Sequence, residues 1–333
     1  MIKLSLVMAA YDDADGVQFT IQSIRAQSHN LHEIIVVDNN PTSAHGKTTA
    51  EFCFKAGVKY IPYTVKKSTS IRNIAIAAAT GTHILCVDCH IVLTANTYTR
   101  LFTYLNNNKD SDNLFHGVMT DDRFQPVWTH MNPIWDEEFY GSFATDVRGL
   151  TLNKEPFEIP MQGLALFACK RDTWLGFHSE FQSFGGEEYY IHEKYRQAGR
   201  KVLCLPFVRY WHRFMTPNVR TSPIGTADRL YNYFLGWKEL GLKVDNIRDH
   251  YTGVRKYSPL FVKAAEERAD KVLATFSGKP SYSITKVNDT DANKVICTKP
   301  CKFWNNGCVQ CKCPDVKKQP WKELPNCPEG YWG

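Results

Sequence analysis

The side chains best placed for chemistry in this sequence are Asp88 and His90, one residue apart in Asp88-Cys89-His90. They close a run, Thr82-His83-Ile84-Leu85-Cys86-Val87, whose 84–88 portion is a short apolar stretch behind the turn signal Thr80-Gly81. That pattern reads as a buried strand. Side chains alternate along a strand, so Asp88 and His90 are expected on the same side of the backbone. The carboxyl end of a central strand is where open α/β sheets bind their ligands. A carboxylate with an imidazole suits a borderline divalent cation such as Mn²⁺ better than Ca²⁺, which takes oxygen ligands, and Mg²⁺ is the alternative cofactor. The plainer alternative is an Asp88 that caps a turn beside a surface His90.

A second concentration of reactive groups lies near the C-terminus. Cys297, Cys301, Cys308, Cys311, Cys313 and Cys327 are six of the 11 cysteines. The spacings of Cys297 to Cys301 and of Cys308 to Cys311 suit a structural Zn²⁺, and three disulfides are the alternative. Lys294, Lys299, Lys302, Lys312, Lys317, Lys318 and Lys322 are interleaved with Trp304 and Trp321. Such a segment suits a polyanion, including nucleic acid. A small module that only props the rest of the chain is the competing reading.

Elements must position these groups, and 333 residues suffice for one large α/β domain with an appendage. A composition of 43% hydrophobic and 22% charged residues excludes a disordered chain. The net charge of +6 is uneven: residues 1–250 hold 26 basic against 26 acidic residues, and residues 251–333 hold 14 against 8. No apolar run reaches the roughly 18–20 residues of a membrane span. The apolar N-terminus is short, meets Tyr11-Asp12-Asp13 at once, and fits a first strand better than a signal peptide. A cytoplasmic location is therefore expected, with mostly reduced cysteines, which favours zinc in the tail.

Strands are expected over 3–10, 31–38, 58–62 and 84–88, with helices over 17–27, 48–56 and 70–79. This alternation predicts βαβ units and a mainly parallel sheet. Further helices are expected over 189–199, 227–242 and 257–276, with a lid-like loop over 215–226. The expected organisation is a catalytic domain over 1–276, a linker over 277–296 and a Cys-rich basic module over 297–333.

Several segments then carry a resemblance. Val7-Met8-Ala9-Ala10-Tyr11, Glu33-Ile34-Ile35-Val36-Val37-Asp38-Asn39-Asn40 and the run from Ile71 to Asp88 resemble the nucleotide-sugar-binding segments of family 2 glycosyltransferases with the Rossmann-like GT-A fold. Asp-x-His in place of Asp-x-Asp is similar to the polypeptide N-acetylgalactosaminyltransferases. So are Pro160-Met161-Gln162-Gly163-Leu164-Ala165-Leu166-Phe167, Phe184-Gly185-Gly186-Glu187-Glu188 and Val208-Arg209-Tyr210-Trp211-His212-Arg213-Phe214. The chain departs at Leu164-Ala165, where that family has Gly-Gly, and at Phe184, where it has Trp.

The resemblance implies a metal-dependent transferase that moves a hexose or N-acetylhexosamine from a UDP-sugar to a hydroxyl, with retention. It implies His212 as a third metal ligand with Asp88 and His90, and Glu187 against the sugar, with Gly186 letting the backbone approach. Asp38 could accept from a pyrimidine N–H, Tyr11 could stack on the base, and Arg72 could reach base or diphosphate. Arg213 could close on the diphosphate. Asp88, Glu187 and His212 are thus the expected catalytic set. With the basic tail, a hydroxymethylpyrimidine in DNA is the favoured acceptor; peptide Ser/Thr or a glycan is the alternative. A non-catalytic binder of nucleotide-sugar or nucleic acid is the rival of another class.

Overall fold

The computed structural model describes residues 1–28, 30–214 and 225–275. The first half alternates as expected: β1 (Leu4–Ala10), α1 (Ala14–Arg25), β2 (Glu33–Asp38), α2 (Ala44–Lys55), β3 (Lys59–Pro62), α3 (Arg72–Ala77) and β4 (His83–Asp88). There follow β5 (Ile91–Leu93), α4 (Thr97–Asn107), β6 (Leu114–Thr120), β7 (Pro126–Trp128) and a hairpin of β8 (His130–Asp136) and β9 (Phe139–Ala144). Then come β10 (Phe157–Glu158), β11 (Leu166–Lys170), α5 (Glu187–Gln197) and β12 (Val202–His212). Helices α6 (Thr226–Glu239), α7 (Asp245–Asp249) and α8 (Pro259–Thr275) finish the described chain.

The main sheet runs in the order β10-β12-β6-β11-β4-β1-β2-β3, with β5 on β12 and β7 on β6. Strands β1, β2, β3 and β4 pair in parallel, while β11 runs antiparallel between β4 and β6. The near-continuous apolar runs of β1, β2 and β4 follow from burial on both faces. Alternation sorts them: Val7, Ile35, Val37, Ile84 and Cys86 face one core. Leu4, Leu6, Met8, Ile34, Val36, Leu85 and Val87 face the other. Val17, Ile21 and Ile24 of α1 cover the second core, and Ala75 and Ile76 of α3 with Tyr190 and Ile191 of α5 cover the first.

Local capping moves the helix boundaries. Asp13 accepts from the Gly16 N–H at 3.1 Å, so α1 begins at Ala14 rather than at 17. Ser43 does the same for Gly46 at 2.9 Å, starting α2 at Ala44 rather than at 48. Helix α5 takes Glu187 and Glu188 into its first turn. A larger correction concerns the Asp-x-His segment. Strand β4 stops at Asp88, and Cys89 and His90 form a turn into β5, so alternation along one strand does not bring the pair together. The linker, the Cys-rich module with Cys297, Cys301, Cys308 and Cys311, and most of the expected lid lie outside the described residues. Among the described residues, no helix is long and apolar enough to cross a membrane.

One buried polar residue ties α3 to the chain ahead of α5. Asn73 donates to the Phe177 carbonyl at 3.0 Å and accepts from the Phe177 N–H at 3.1 Å and the Trp174 indole at 2.9 Å. Removing it leaves two buried backbone groups of Phe177 and the half-buried Trp174 indole without this partner. Asn73→Ala is expected to cost about 2–4 kcal/mol in urea unfolding; a loss below about 0.5 kcal/mol would contradict this account.

Candidate metal centre and cleft

Backbone pairing, not sequence proximity, assembles the centre. The last residue of β12, His212, pairs with Ile91, the first residue of β5. The Arg213 N–H donates to the His90 carbonyl at 3.0 Å and extends this register by one step. From α1, the buried Thr20 hydroxyl clamps both backbone groups of Ile91, donating at 2.9 Å and accepting at 3.0 Å. Gly16 lets α1 come this close: a Cβ there would lie 2.3 Å from the Cys89 carbonyl oxygen. As a result, ligand atoms of Asp88, His90 and His212 all lie within 4.8 Å of one another. The two imidazoles meet edge to face, with centroids 4.8 Å apart.

Charge around the centre is closely balanced. Arg72, buried at the start of α3, holds Asp88 Oδ1 at 2.5 Å, and Oδ2 lies 3.6 Å from His212 Nε2. Burial alone would raise the Asp88 pKa, but the Arg72 charge and the His212 and His90 contacts outweigh it, and the carboxyl stays well below its usual range. Asp13 supports the other side. It accepts from His90 Nδ1 at 3.0 Å and from Arg213 Nη2 at 2.6 Å. Burial opposes its ionisation too, and these two partners lower its pKa nonetheless. With Nδ1 donating to Asp13, His90 presents Nε2 as its ligand nitrogen. Asp13, Cys89 and His90 form a second close group. Burial drives the Cys89 thiol pKa well up, so this group is a poor ligand set at neutral pH. One carboxylate and two imidazoles therefore form the set that fits a divalent ion such as Mn²⁺.

The Gly185-Gly186-Glu187-Glu188 turn enters the same cleft. Both glycines are left-handed, at φ +102° and +96°, and the Gly185 N–H donates to Glu187 Oε2 at 2.8 Å. Glu187 is buried, and burial raises its pKa against the pull of Arg72. Burial, then the Glu187 charge beside it, pushes Glu188 up to about 8. The pair thus keeps a proton at neutral pH when no cation is near.

A cleft of about 620 Å³ contains Tyr11, Asp13, Arg72, Asp88, His90, Glu187 and His212 along its wall, with Leu164, Ala165 and Phe184. Tyr11 is capped by Lys67, which reaches its hydroxyl at 2.8 Å. Three of the expected residues stand elsewhere. Asp38 is buried outside the cleft wall, its oxygens taken by the Asn40 N–H at 2.9 Å and the Tyr60 hydroxyl at 2.8 Å. Its neighbour Asn39 lines the cleft instead. Gly186 shapes the turn without lining the cleft, and Arg213 is turned onto Asp13. Asp13 was not expected in the site; its place as the cap of α1, two residues after Tyr11, was the available signal.

A mainly parallel sheet thus gathers a carboxylate, two imidazoles, an arginine and a buried glutamate near its strand ends, on a fold of the GT-A class. Comparison with known proteins agrees: residues 5–168 match the Glycosyl transferase family 2 profile. The match spans just under half of the chain, and the likeness to solved structures shows the GT-A fold. Among solved structures it resembles GalNAc-T7 with UDP, GalNAc and Mn²⁺, at 20% identity and a TM-score of 0.59. That match covers 81% of this chain and 55% of the other, so the chain spans about half the length of that relative. A mannosyltransferase, PcManGT from Pyrobaculum calidifontis in complex with GDP-Man and Mn²⁺, matches at 13% identity and a TM-score of 0.48, covering 84% of this chain and 77% of the other. No curated protein matches.

Two outcomes follow from this geometry. Asp13→Asn keeps a good helix cap but removes the charge behind His90, and Mn²⁺ affinity by calorimetry should fall about 10–100-fold. An unchanged affinity would dismiss Asp13 as a support of the centre. Glu188 binds its proton more tightly in the fold than its ordinary value of 4.5 allows when unfolded. Stability therefore falls as pH rises from about 4.5 towards about 8. In EDTA, Glu188→Gln should be more stable than the parent at pH 8, by on the order of 1–3 kcal/mol, and equal to it near pH 4.5. A gap that does not vary with pH would contradict the assignment.

Proposed function

We propose that this protein is a metal-dependent glycosyltransferase that moves a hexose or N-acetylhexosamine from a UDP-sugar to an acceptor hydroxyl with retention. The acceptor in this reading is a hydroxymethylpyrimidine in DNA. The observation that carries the donor half is the convergence of Asp88, His90 and His212 within 4.8 Å beside Arg72 and Glu187. GalNAc-T7, whose fold this chain shares, was solved with UDP, GalNAc and Mn²⁺.

In the reaction, the bond from the anomeric carbon to the β-phosphate oxygen breaks, and its electron pair leaves with UDP. The acceptor oxygen bonds to that carbon and loses its proton to solvent. A divalent cation, when held by Asp88, His90 and His212, supplies positive charge against the leaving diphosphate. The chain's own residues do the rest. Arg72 keeps Asp88 ionised and adds a fixed positive charge at the cleft wall. Asp13 orients His90. Glu187, held by the Gly185 N–H, presents a carboxyl group to the sugar hydroxyls. Tyr11 offers a ring for the uracil.

The Asp88-x-His90 likeness to the polypeptide N-acetylgalactosaminyltransferases supports retention. The nucleic-acid acceptor draws support from the sequence of the tail, where lysines are interleaved with Trp304 and Trp321 among Cys297, Cys301, Cys308 and Cys311, which in this reading hold a structural Zn²⁺. A base in duplex DNA must leave the stack to reach the anomeric carbon.

Mn²⁺-dependent UDP release from a panel of UDP-sugars is expected, with Asp88→Ala and His212→Ala each reducing it at least about 100-fold. No release from any donor would leave a binding protein rather than an enzyme. Duplex DNA bearing hydroxymethylpyrimidines should gain the mass of one sugar per modified base. A Ser/Thr peptide that gains mass while the DNA does not would refute the DNA acceptor.

A further inference from the structure

Glu187 takes its place in the cleft from a turn that has no side chain of its own to hold it. Gly185 and Gly186 are both left-handed, and the Gly185 N–H grips Glu187 Oε2 at 2.8 Å. Helix α6 supplies the restraint that the glycines lack. Buried Asn232 donates to the carbonyls of Gln182 at 2.7 Å and Gly185 at 2.8 Å, and accepts from the Gln182 N–H at 2.9 Å. One turn earlier, Asp228 accepts from the Ser183 hydroxyl at 2.7 Å.

Arg229 closes a further side of Gly185. A Cβ on that glycine would lie 2.7 Å from Arg229 Cγ and 2.9 Å from its Cδ, so the stem lies directly against the backbone. The far end of the side chain is held by the β8–β9 hairpin. Its Nη1 donates to Glu138 Oε2 at 2.6 Å, and the guanidinium stands 4.1 Å over the ring of Phe139. The Thr226 and Tyr257 hydroxyls also donate to Glu138, which leaves its carboxylate little freedom. Arg229 is only 2% exposed and does not line the cleft, whereas Glu187 and Phe139 do. A buried ion pair adds little stability over a packed apolar side chain, but its geometry directs a side chain as apolar packing does not. Here it directs the stem of Arg229 along Gly185.

We propose that Arg229 is a positioning residue for Glu187: anchored on Glu138, its stem sets the backbone at Gly185 and thereby where the Glu187 carboxyl stands in the cleft. This rests on the reading above in which Glu187 meets the donor sugar. Arg229 itself touches neither sugar nor diphosphate. Its variants therefore act on the sugar through Glu187 and leave the binding of the nucleotide alone.

The test reads a pair of affinities, by calorimetry on the full chain with Mn²⁺. One is for UDP; the other is for the tightest binder among UDP-glucose, UDP-galactose and their N-acetylhexosamine counterparts. Glu187→Gln should shift the ratio of the two against the UDP-sugar by about tenfold, as loss of one hydrogen bond to a charged group implies. Arg229→Ala should shift it to a similar extent with UDP affinity unchanged, whereas a merely structural loss would lower both affinities together. Arg229→Lys keeps the stem and the charge, and should restore the parent ratio. Added to Glu187→Gln, Arg229→Ala should shift the ratio no further, because both changes act on one contact. A parent-like ratio in Arg229→Ala, or a full further shift in the double variant, overturns the positioning role and leaves the donor reading standing. An unchanged ratio in Glu187→Gln overturns both. Should Arg229→Ala fail to fold, Glu138→Gln decides: it removes the charge that anchors the guanidinium, lies outside the cleft wall, and should move the ratio in the same direction. No movement there overturns the proposal.

Discussion

The centre depends on the register between β5 and β12. These strands are short and long respectively, and each is ordinary as a strand, but their pairing sets Ile91 opposite His212 and so places His90 against it. A slip of one residue would turn His212 to the other face of the sheet. Three restraints resist such a slip: the Arg213–His90 backbone bond, the double clamp of Thr20 on Ile91, and the close seat of Gly16 beneath Cys89. Helix α1 thus does more than cover the second core. Its first two turns carry Asp13, Gly16 and Thr20, all of which act on the Asp88–Ile91 segment.

Electrostatics explains why this register can be occupied at all. Burying Asp88 without a partner would drive it to the neutral form. Arg72 prevents that, and Asn73, the next residue, fixes the helix that delivers it. Asp13 and Arg213 form a second pair beside the first, so two carboxylates, two guanidinium groups and two imidazoles share the strand ends with their charges closely matched. Glu187 and Glu188 complete the wall without a full complement of cations. Their raised pKa values follow first from burial and, for Glu188, then from the Glu187 charge beside it, and a bound cation would oppose both.

Much of this arrangement was legible in the chain itself. The apolar runs of β1, β2 and β4 have the continuity that burial on both faces demands, and their parallel pairing follows the expected βαβ alternation. Asp88, His90, His212, Arg72 and Glu187 meet in one cleft as the matched segments implied. What escaped was set by contacts beyond local sequence. Capping by Asp13 and Ser43 outweighed the weaker apolar periodicity that placed α1 and α2 three or four residues later. Alternation along a single strand was the wrong reason for bringing Asp88 and His90 together, because β4 stops and a second strand takes over. Asp38 ends β2 as expected, yet Tyr60 on the neighbouring β3 claims its carboxylate, a cross-strand contact that no single strand reveals. The same holds for Asp13, whose partner His90 arrives from another element.

The division of the cleft also limits what likeness of fold can convey. A diphosphate, a cation and a hexose make the same demands on any chain that holds them, and the charged wall answers those demands with groups anchored on strand ends and helix starts. Phe139 and Phe143 of the β8–β9 hairpin and Phe214 after β12 also line the cleft, and they lie outside the parallel strands β1 to β4. Resemblance to GalNAc-T7 at 20% identity therefore bears on the scaffold alone. Of these rings Phe214 packs against His212, with centroids 4.4 Å apart, so the aromatic lining and the candidate metal ligands meet at one contact.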